Sequence, residues 1–318
     1  PAAVQRFLHQ FRPALGILME TEVWPNLVAA CRRQGIPLVL ANARLNDASL
    51  RKAQRLGWLA RPAYRGLTAV WAQTEADAQR LRALGAPVQG VFGNLKFDVE
   101  PDGAQLAQGR AWRTAHAQPV VLLASSREGE EALWLDVLKQ KVAPALTRQA
   151  PAAINSEVQW LIVPRHPQRF DAVEQMLRAA GLSVARRSCW QGGPPRADVW
   201  LGDSLGEMAL YYGLADVALL GGSFAPLGGQ NLIEAAACAC PVVLGPHTFN
   251  FADAAQKACA AGAAQRVDGM AQGVESACAL ACDAVALAAA RAAAQGFAQA
   301  HRGAAQATAD AVRRLLRP

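Results

Sequence analysis

Gly228-Gly229-Gln230-Asn231-Leu232-Ile233-Glu234-Ala235-Ala236-Ala237 lies between an apolar run ending in Gly221-Gly222-Ser223 and a second run, Pro241-Val242-Val243-Leu244-Gly245-Pro246. The order reads as strand, glycine loop, helix, strand. Glycines let backbone amides approach a ligand closely, and a helix starting at such a loop turns its unpaired N–H groups and positive dipole end toward it. An anion such as a phosphate suits that place. Glu234, on the first turn, can accept hydrogen bonds from sugar hydroxyls, so a ribonucleotide mono- or diphosphate fits the stretch. A tight strand–helix turn whose glycines serve packing alone carries the same signature, and the surrounding residues must choose between the two.

Outward from this stretch, short apolar runs alternate with amphipathic ones along the whole chain. Candidate strands are residues 15–19, 37–42, 69–73, 88–93, 120–124, 160–164, 183–185, 199–202, 217–222 and 242–245, with helical patterns such as 75–84, 130–141 and 169–180 between them. Each run is near-continuously apolar, as a parallel strand covered on both faces should be. Strand–helix alternation of this kind implies an α/β fold of two Rossmann-like, doubly wound parallel sheets. The polar stretch after residue 98 is the best linker, which gives a first domain at 1–100, a linker at 101–118 and a second domain at 119–295. Residues 296–318 read as one or two terminal helices packing back on the sheets, and the alanine-rich segment 254–294 as helical core. Ligands of such sheets bind at the carboxyl ends of the strands, across a cleft between the domains.

A chain of 318 residues, 52% hydrophobic, is long enough for two such domains. Its 32 basic and 25 acidic residues leave +7, which suits an anionic substrate or an anionic membrane surface and is also common in proteins that bind neither. The arginines are scattered without aromatic interleaving, which argues against nucleic acid. Seven cysteines without a CxxC pair argue against a zinc or thioredoxin-like site and fit reduced thiols. No apolar stretch approaches the length of a bilayer span, and no signal peptide is expected within these residues. The chain opens at Pro1 on a helix-like segment and enters a strand at once. That start reads as the middle of a βαβ alternation, and the expectation is an N-terminal truncation with any anchor or catalytic residue upstream.

Polar residues gather where the candidate strands end. Glu20 and Glu22, in Glu20-Thr21-Glu22-Val23-Trp24-Pro25-Asn26, can act as acid, base or hydroxyl-binding groups; capping of a Trp-Pro helix start by Thr21 or Glu22 is the structural alternative. Arg44, after Asn42-Ala43, can hold a carboxylate or phosphate, or pair with Asp47. Lys96, in Gly93-Asn94-Leu95-Lys96-Phe97-Asp98, can meet an anionic substrate group or pair with Asp98. Ser125 and Ser126 offer an anion pocket or helix caps, with Glu128 to Glu131 complementing the helix dipole. Prolines stiffen the loop that carries Arg165 and His166, and a rigid arginine there suits phosphate. In Gly202-Asp203-Ser204-Leu205-Gly206-Glu207-Met208, Asp203 and Ser204 read as caps while Gly206 and Glu207 can meet a base or ribose. Metal-ligand spacing, a Walker motif and a GxGxxG are lacking.

Together, Glu20-Thr21-Glu22-Val23-Trp24-Pro25-Asn26-Leu27, Ala41-Asn42-Ala43-Arg44, Gly93 to Asp98, Pro164-Arg165-His166-Pro167, Gly202 to Glu207, Gly221-Gly222-Ser223, Gly229-Gln230-Asn231 with Glu234, and Gly245-Pro246-His247-Thr248-Phe249-Asn250-Phe251 resemble the bacterial Kdo transferase family. Kdo is 3-deoxy-D-manno-octulosonic acid, and these enzymes are GT-B glycosyltransferases of lipopolysaccharide assembly. The resemblance runs over nearly the whole chain and fades after about Gly262. The Thr-Glu-Val-Trp-Pro-Asn and Pro-His-Thr-Phe-Asn-Phe segments are its specific parts.

The resemblance implies inverting transfer of Kdo from CMP-Kdo to the lipid A precursor at the cytoplasmic face of the inner membrane, without cofactor or metal. It implies that Arg165 meets the CMP phosphate and that the helix N-terminus at Gln230-Asn231 adds amide donors, with Gly229 among the binding residues. Glu234 would take the ribose hydroxyls, and Gly206, Glu207 and Met208 would line the cytidine pocket, with Ser125, Ser126 and His166 nearby. Lys96 and Arg44 would face anions of Kdo or acceptor. The family's general base belongs to a Gly-Glu element upstream of the Thr-Glu-Val-Trp-Pro segment, so the expectation is a chain that binds CMP weakly and does not turn over alone. The rival expectations are another GT-B enzyme, such as a UDP-sugar epimerase or a lipid-linked sugar transferase, and a nucleotide-binding module without catalysis.

Overall fold

The computed structural model describes residues 1–142 and 157–316. The chain divides into two units, one of Pro1–Asp98 with His301–Pro318 and one of Val99–Ala300. The first contains α1 (Ala2–Phe11), β1 (Gly16–Met19), α2 (Pro25–Arg33), β2 (Leu38–Ala43), α3 (Asp47–Arg55), α4 (Gly57–Arg65), β3 (Ala69–Ala72), α5 (Glu75–Ala83) and β4 (Val88–Val91). The second contains α6 (Gly103–Ala115), β5 (Val120–Ser126), α7 (Glu130–Val142), β6 (Gln159–Pro164), α8 (Phe170–Ala179), β7 (Val184–Arg186), β8 (Val199–Leu201) and α9 (Met208–Leu214). It continues with β9 (Val217–Leu220), α10 (Leu232–Ala237), β10 (Val242–Leu244), α11 (Ala252–Ala260), β11 (Ala264–Arg266), α12 (Met270–Cys282) and α13 (Ala284–Ala300), after which α14 (Ala304–Leu316) returns to the first unit.

Both sheets are parallel, in the orders β1-β2-β3-β4 and β11-β10-β9-β5-β6-β8-β7. In the second sheet the chain moves from β5 to β6 on one side and returns to the other side with β9. The order therefore reverses at the β5/β9 boundary, where open α/β sheets form their ligand crevice.

In the first unit one face of the sheet packs Leu40, Val70, Leu81 and Leu84, and the other packs Val39, Trp71 and Ala311 of α14. Asp98 fastens that helix, accepting the N–H of Gly303 at 2.5 Å and of Ala305 at 2.6 Å. In the second unit Trp134 and Trp160 are fully buried and meet edge to face at 5.3 Å between ring centroids. Such a pair adds about 0.5–1.5 kcal/mol beyond its area burial.

Three expectations are corrected. The stretch read as a linker at 101–118 is mostly the helix α6, which lies so close on α9 that a Cβ on Gly109 would stand 2.2 Å from the Leu210 carbonyl oxygen. Gly109 is its one buried residue, and its alanines are exposed, so composition alone resembled a linker. The one or two helices expected at 296–318 are two: residues 296–300 finish α13, and α14 begins at Ala304. The alanine-rich segment hides β11, whose Ala-Gln-Arg at the sheet edge has no apolar run to announce it. β1 and β4 are alternately half-buried and exposed rather than covered on both faces, with Ile17, Met19 and Val91 open to solvent. Residues 143–156 of the expected second domain and 317–318 of the expected terminal helix lie outside the described residues. Among the described residues no single helix is long and apolar enough to cross a membrane.

Candidate functional site

In the second unit the loops after β5, β6, β8, β9 and β10 share the carboxyl edge of the sheet, and glycine brings their backbones together. A Cβ on Gly221 would stand 2.2 Å from the Ser125 carbonyl oxygen, and one on Gly245 2.3 Å from that of Ser223. Ser125 has φ +53° where the β5–β6 register slips, a bulge that turns the strand end.

A carboxylate locks this edge. Glu130 is fully buried; its Oε2 accepts the N–H of Arg127 at 2.8 Å and Gly222 at 2.7 Å, and its Oε1 those of Phe224 at 3.0 Å and Ala225 at 3.3 Å. Burial pushes its pKa above the usual carboxylate value, against the pull of the four amides. Beside it Glu131 takes both ends of the Arg169 guanidinium at 2.8 and 2.7 Å and the Ser126 hydroxyl at 2.6 Å. Ser126 is thus buried and engaged, which corrects its expected role in an anion pocket. Ser125 is half-buried, with its Oγ 4.0 Å from Met208 Sδ.

The glycine loop is also closed on itself. Gly228 and Gly229 have φ +89° and +77°, and the chain folds back so that Gly229 N–H donates to the Gly222 carbonyl at 2.7 Å and Gln230 N–H to that of Gly221 at 3.1 Å. Asn231 caps the six-residue α10 by accepting the Ile233 N–H at 3.1 Å. The expectation that the Gly229 and Gln230 amides point at a phosphate is corrected, because both are spent in the loop. Glu234 has its pKa raised, first by burial, with the charge of Arg165 pulling it back. Arg165 and Glu234 therefore lie within electrostatic reach of one another. Arg165 is exposed, its backbone tied to β5 through the Ser126 carbonyl at 2.9 Å; His166 is half-exposed beside it, and its ring forms no hydrogen bond among the described residues.

Glu207 is half-buried and accepts from Arg187 Nη2 at 2.9 Å and from the Ser204 hydroxyl, which also meets the Tyr211 hydroxyl. Arg187 in turn lies over the rings of Trp112 and Trp190, 5.3 and 5.6 Å from their centroids. Asp203 and Ser204 do not cap α9, whose cap residue is Glu207 without a side-chain bond. Asp203 instead takes Arg186 Nε at 2.7 Å and the Ser188 hydroxyl at 2.6 Å. Burial works to raise its pKa, but Ser188 and Arg186 outweigh it and hold the carboxyl below its usual value. Gly206, at φ +78°, is exposed, and its carbonyl accepts from Gln105 at 2.9 Å.

The first unit assembles a second cluster at the carboxyl edge of its own sheet. Glu20, at φ +55°, follows β1 and lies between two cations, Arg44 Nη2 at 3.0 Å and Lys96 Nζ at 3.9 Å. Arg44 does not pair with Asp47, which faces Arg80, and Asp98 is engaged at α14. Asn42, buried at φ +50°, accepts the Leu95 N–H on its side chain at 3.2 Å and ties the Lys96 loop to β2. Glu22 is exposed and accepts the Trp24 indole N–H at 3.1 Å, outside the Glu20 cluster; neither it nor Thr21 caps α2.

Glu130, Glu131 and Arg187 were not among the expected site residues. Acidic residues in a helix's first turn read as dipole partners, and only the loop after β9 folding onto the start of α7 shows that Glu130 is buried among amides. Among the described residues no group of three His, Cys, Asp or Glu is placed to hold a metal.

Residues 1–99 match the family described as "3-Deoxy-D-manno-octulosonic-acid transferase (kdotransferase)". A curated 3-deoxy-D-manno-octulosonic acid transferase from Bordetella pertussis is 53% identical over 267 residues, 84% of this chain and 61% of the relative. The chain thus spans about three-fifths of that relative's length. The C-terminal CMP-Kdo binding domain of WaaA from Acinetobacter baumannii is 28% identical, with a TM-score of 0.53, over 62% of this chain and all of that domain. The structure of Alr3699/HepE from Anabaena in complex with UDP superposes with a TM-score of 0.55 at 14% identity, over 99% of this chain and 81% of its own. At that identity the likeness shows the fold alone, an α/β fold of the GT-B class. By these matches the chain belongs to the 3-deoxy-D-manno-octulosonic acid transferase family.

Proposed function

We propose that the second unit binds CMP-Kdo and that the protein transfers Kdo, with inversion, to the lipid A precursor of lipopolysaccharide. The observation that carries this reading is an exposed Arg165 within electrostatic reach of a half-buried Glu234 at the carboxyl edge of a sheet whose relatives include a CMP-Kdo binding domain. Arg165 meets the phosphate as a charge-assisted donor, and Glu234 accepts the ribose hydroxyls. Glu207, oriented by Arg187 and Ser204, meets the base edge. The Glu130 brace keeps the β5 and β9 ends rigid, so the site is preorganised rather than assembled on binding. CMP leaves with one phosphate, and a single arginine neutralises the charge that develops on it, so the reading calls for no resident cofactor.

In the first unit Glu20 acts as a positioning residue. A carboxylate between two cations holds Arg44 and Lys96 in place, and these face the anionic groups of Kdo or acceptor. Proton removal from the acceptor hydroxyl belongs to another group.

The membrane surface is the proposed partner of helices α2 to α4. Arg32, Arg33, Arg51, Lys52, Arg55, Arg61 and Arg65 are all exposed there, and none forms an ion pair among the described residues. Trp58 is 77% exposed beside exposed Leu56 and Leu59, and Trp58 and Leu59 line a cavity of about 610 Å3 with Arg32 and Arg33. Cations around an exposed tryptophan suit an anionic headgroup layer over an apolar one.

Calorimetric titration tests the donor site. CMP is expected to bind and UDP to bind more weakly, and Arg165→Ala should weaken CMP by about 1.5–3 kcal/mol, the scale for a hydrogen bond to a charged group. Equal affinity of wild type and variant would remove Arg165 from the site, and preference for UDP would favour the epimerase-like reading.

A further inference from the structure

A cavity of about 810 Å3 opens at the other end of the second unit. Its walls are the segments that enter the strands: Ala215 and Asp216 before β9, Cys238 and Ala239 before β10, and α6 before β5, closed by the corner between α12 and α13. It therefore sits at the amino edge of the sheet, whereas Arg165, Glu207 and Glu234 belong to the carboxyl edge.

Three guanidiniums, Arg110, Arg113 and Arg291, line it against one carboxylate. Asp216 is buried and accepts Arg113 Nε at 2.6 Å, Arg291 Nη2 at 2.6 Å and the Val120 N–H at 2.8 Å. One negative charge thus orients two arginines, and among the described residues Arg110 reaches only the Cys238 carbonyl, at 3.3 Å. The thiol of Cys238 is pushed up to about 12 by burial, so it adds no anion at neutral pH. The recess carries two positive charges in excess, walled on one side by Ala284, Leu287 and Ala288. Apolar walls strengthen the field in such a recess, and the volume is that of a metabolite pocket.

We propose that this cavity binds an organic anion of metabolite size. Its phosphate or carboxylate sits among Arg110, Arg113 and Arg291, and its carbon skeleton lies on the α13 wall beside Tyr212. The site does not depend on the donor reading above. It is joined to the carboxyl edge by two short helices: α9 runs from Met208 to the segment of Tyr212, and α10 from Asn231 and Glu234 to Cys238. The charge of Glu234 reaches both Tyr212 and Cys238.

Nuclear magnetic resonance of the whole chain with labelled arginine tests the proposal, with citrate and inorganic phosphate as probes and CMP present throughout to occupy the donor site. The side-chain Nε–Hε signals of Arg110, Arg113 and Arg291 are expected to shift saturably, and Arg110→Gln to weaken the titration tenfold or more. Signals of these three that stay still in the wild type while others move would overturn the proposal. So would a titration unchanged in a folded Arg110→Gln. If that variant does not fold, the wild-type signals decide alone.

Discussion

Glu130 shows how much one side chain can hold. Its two oxygens accept four amide protons from two loops that no local sequence signal joins. In Glu130→Gln one oxygen becomes an NH2 group, and in either orientation that group faces two N–H donors. Two donors, one buried and one part-buried, lose their acceptor, at about 1–3 kcal/mol each, so the variant is expected to lose roughly 2–6 kcal/mol in urea denaturation. An unchanged midpoint would mean the brace is not needed. Glu234 gives a pH signature. Its folded pKa is raised by burial, so its contribution to stability is fully present below the unfolded value near 4.3 and is lost as pH rises through the folded value. Glu234→Gln should therefore gain on wild type as pH rises from about 4 to 7. Denaturation at the two ends of that range, giving the same difference at both, would contradict it. Of these residues, Glu234 and Arg165 were legible in the sequence because each stands at a motif next to a strand end. Glu130 was not, because three of its four partners, Gly222, Phe224 and Ala225, lie more than ninety residues away.

At the scale of elements, α14 and the α3–α4 pair make separate claims. α14 starts on glycine and alanine, with no capping side chain of its own, and Asp98 supplies the missing acceptor from across the unit. Asp98→Ala is expected to cost about 0.5–2 kcal/mol, the range for losing an N-cap, and to open the Trp71 face to a fluorescence quencher. Unaltered quenching would show that apolar packing of Ala311, Val312 and Leu315 holds the helix alone. For α3–α4, co-sedimentation with anionic vesicles is expected to fall with salt and to drop in a Trp58→Ser, Arg55→Gln, Arg61→Gln variant, since each basic residue near such a surface adds about 1 kcal/mol. Equal binding to neutral vesicles would contradict the electrostatic part of this reading. The linker reading of 101–118 failed at this scale for a physical reason. α6 buries glycine against the α9 backbone instead of a hydrophobic stripe, and so lacks the pattern by which a packed helix is recognised.

For the whole molecule, hydrogen exchange with CMP present should add protection at the loops around residues 164–166, 203–208 and 221–234, and leave residues 1–98 unchanged. Protection confined to the first unit would reverse the assignment of the donor. The sequence by itself determined the α/β class, the ten apolar strands and the tips that carry polar residues, because buried parallel strands must be apolar and glycine must stand where backbones turn or touch. It also carried the family, through motifs that lie next to those strands. The tertiary structure alone decided which tip residues are spent and which are open. Ser126 and the Gly229 and Gln230 amides are consumed internally, Glu20 is held by Arg44 and Lys96, and α14 belongs to the first unit although the second precedes it. These outcomes depend on partners far apart along the chain, and local patterns of size, charge and periodicity do not encode which distant donor a given acceptor will meet.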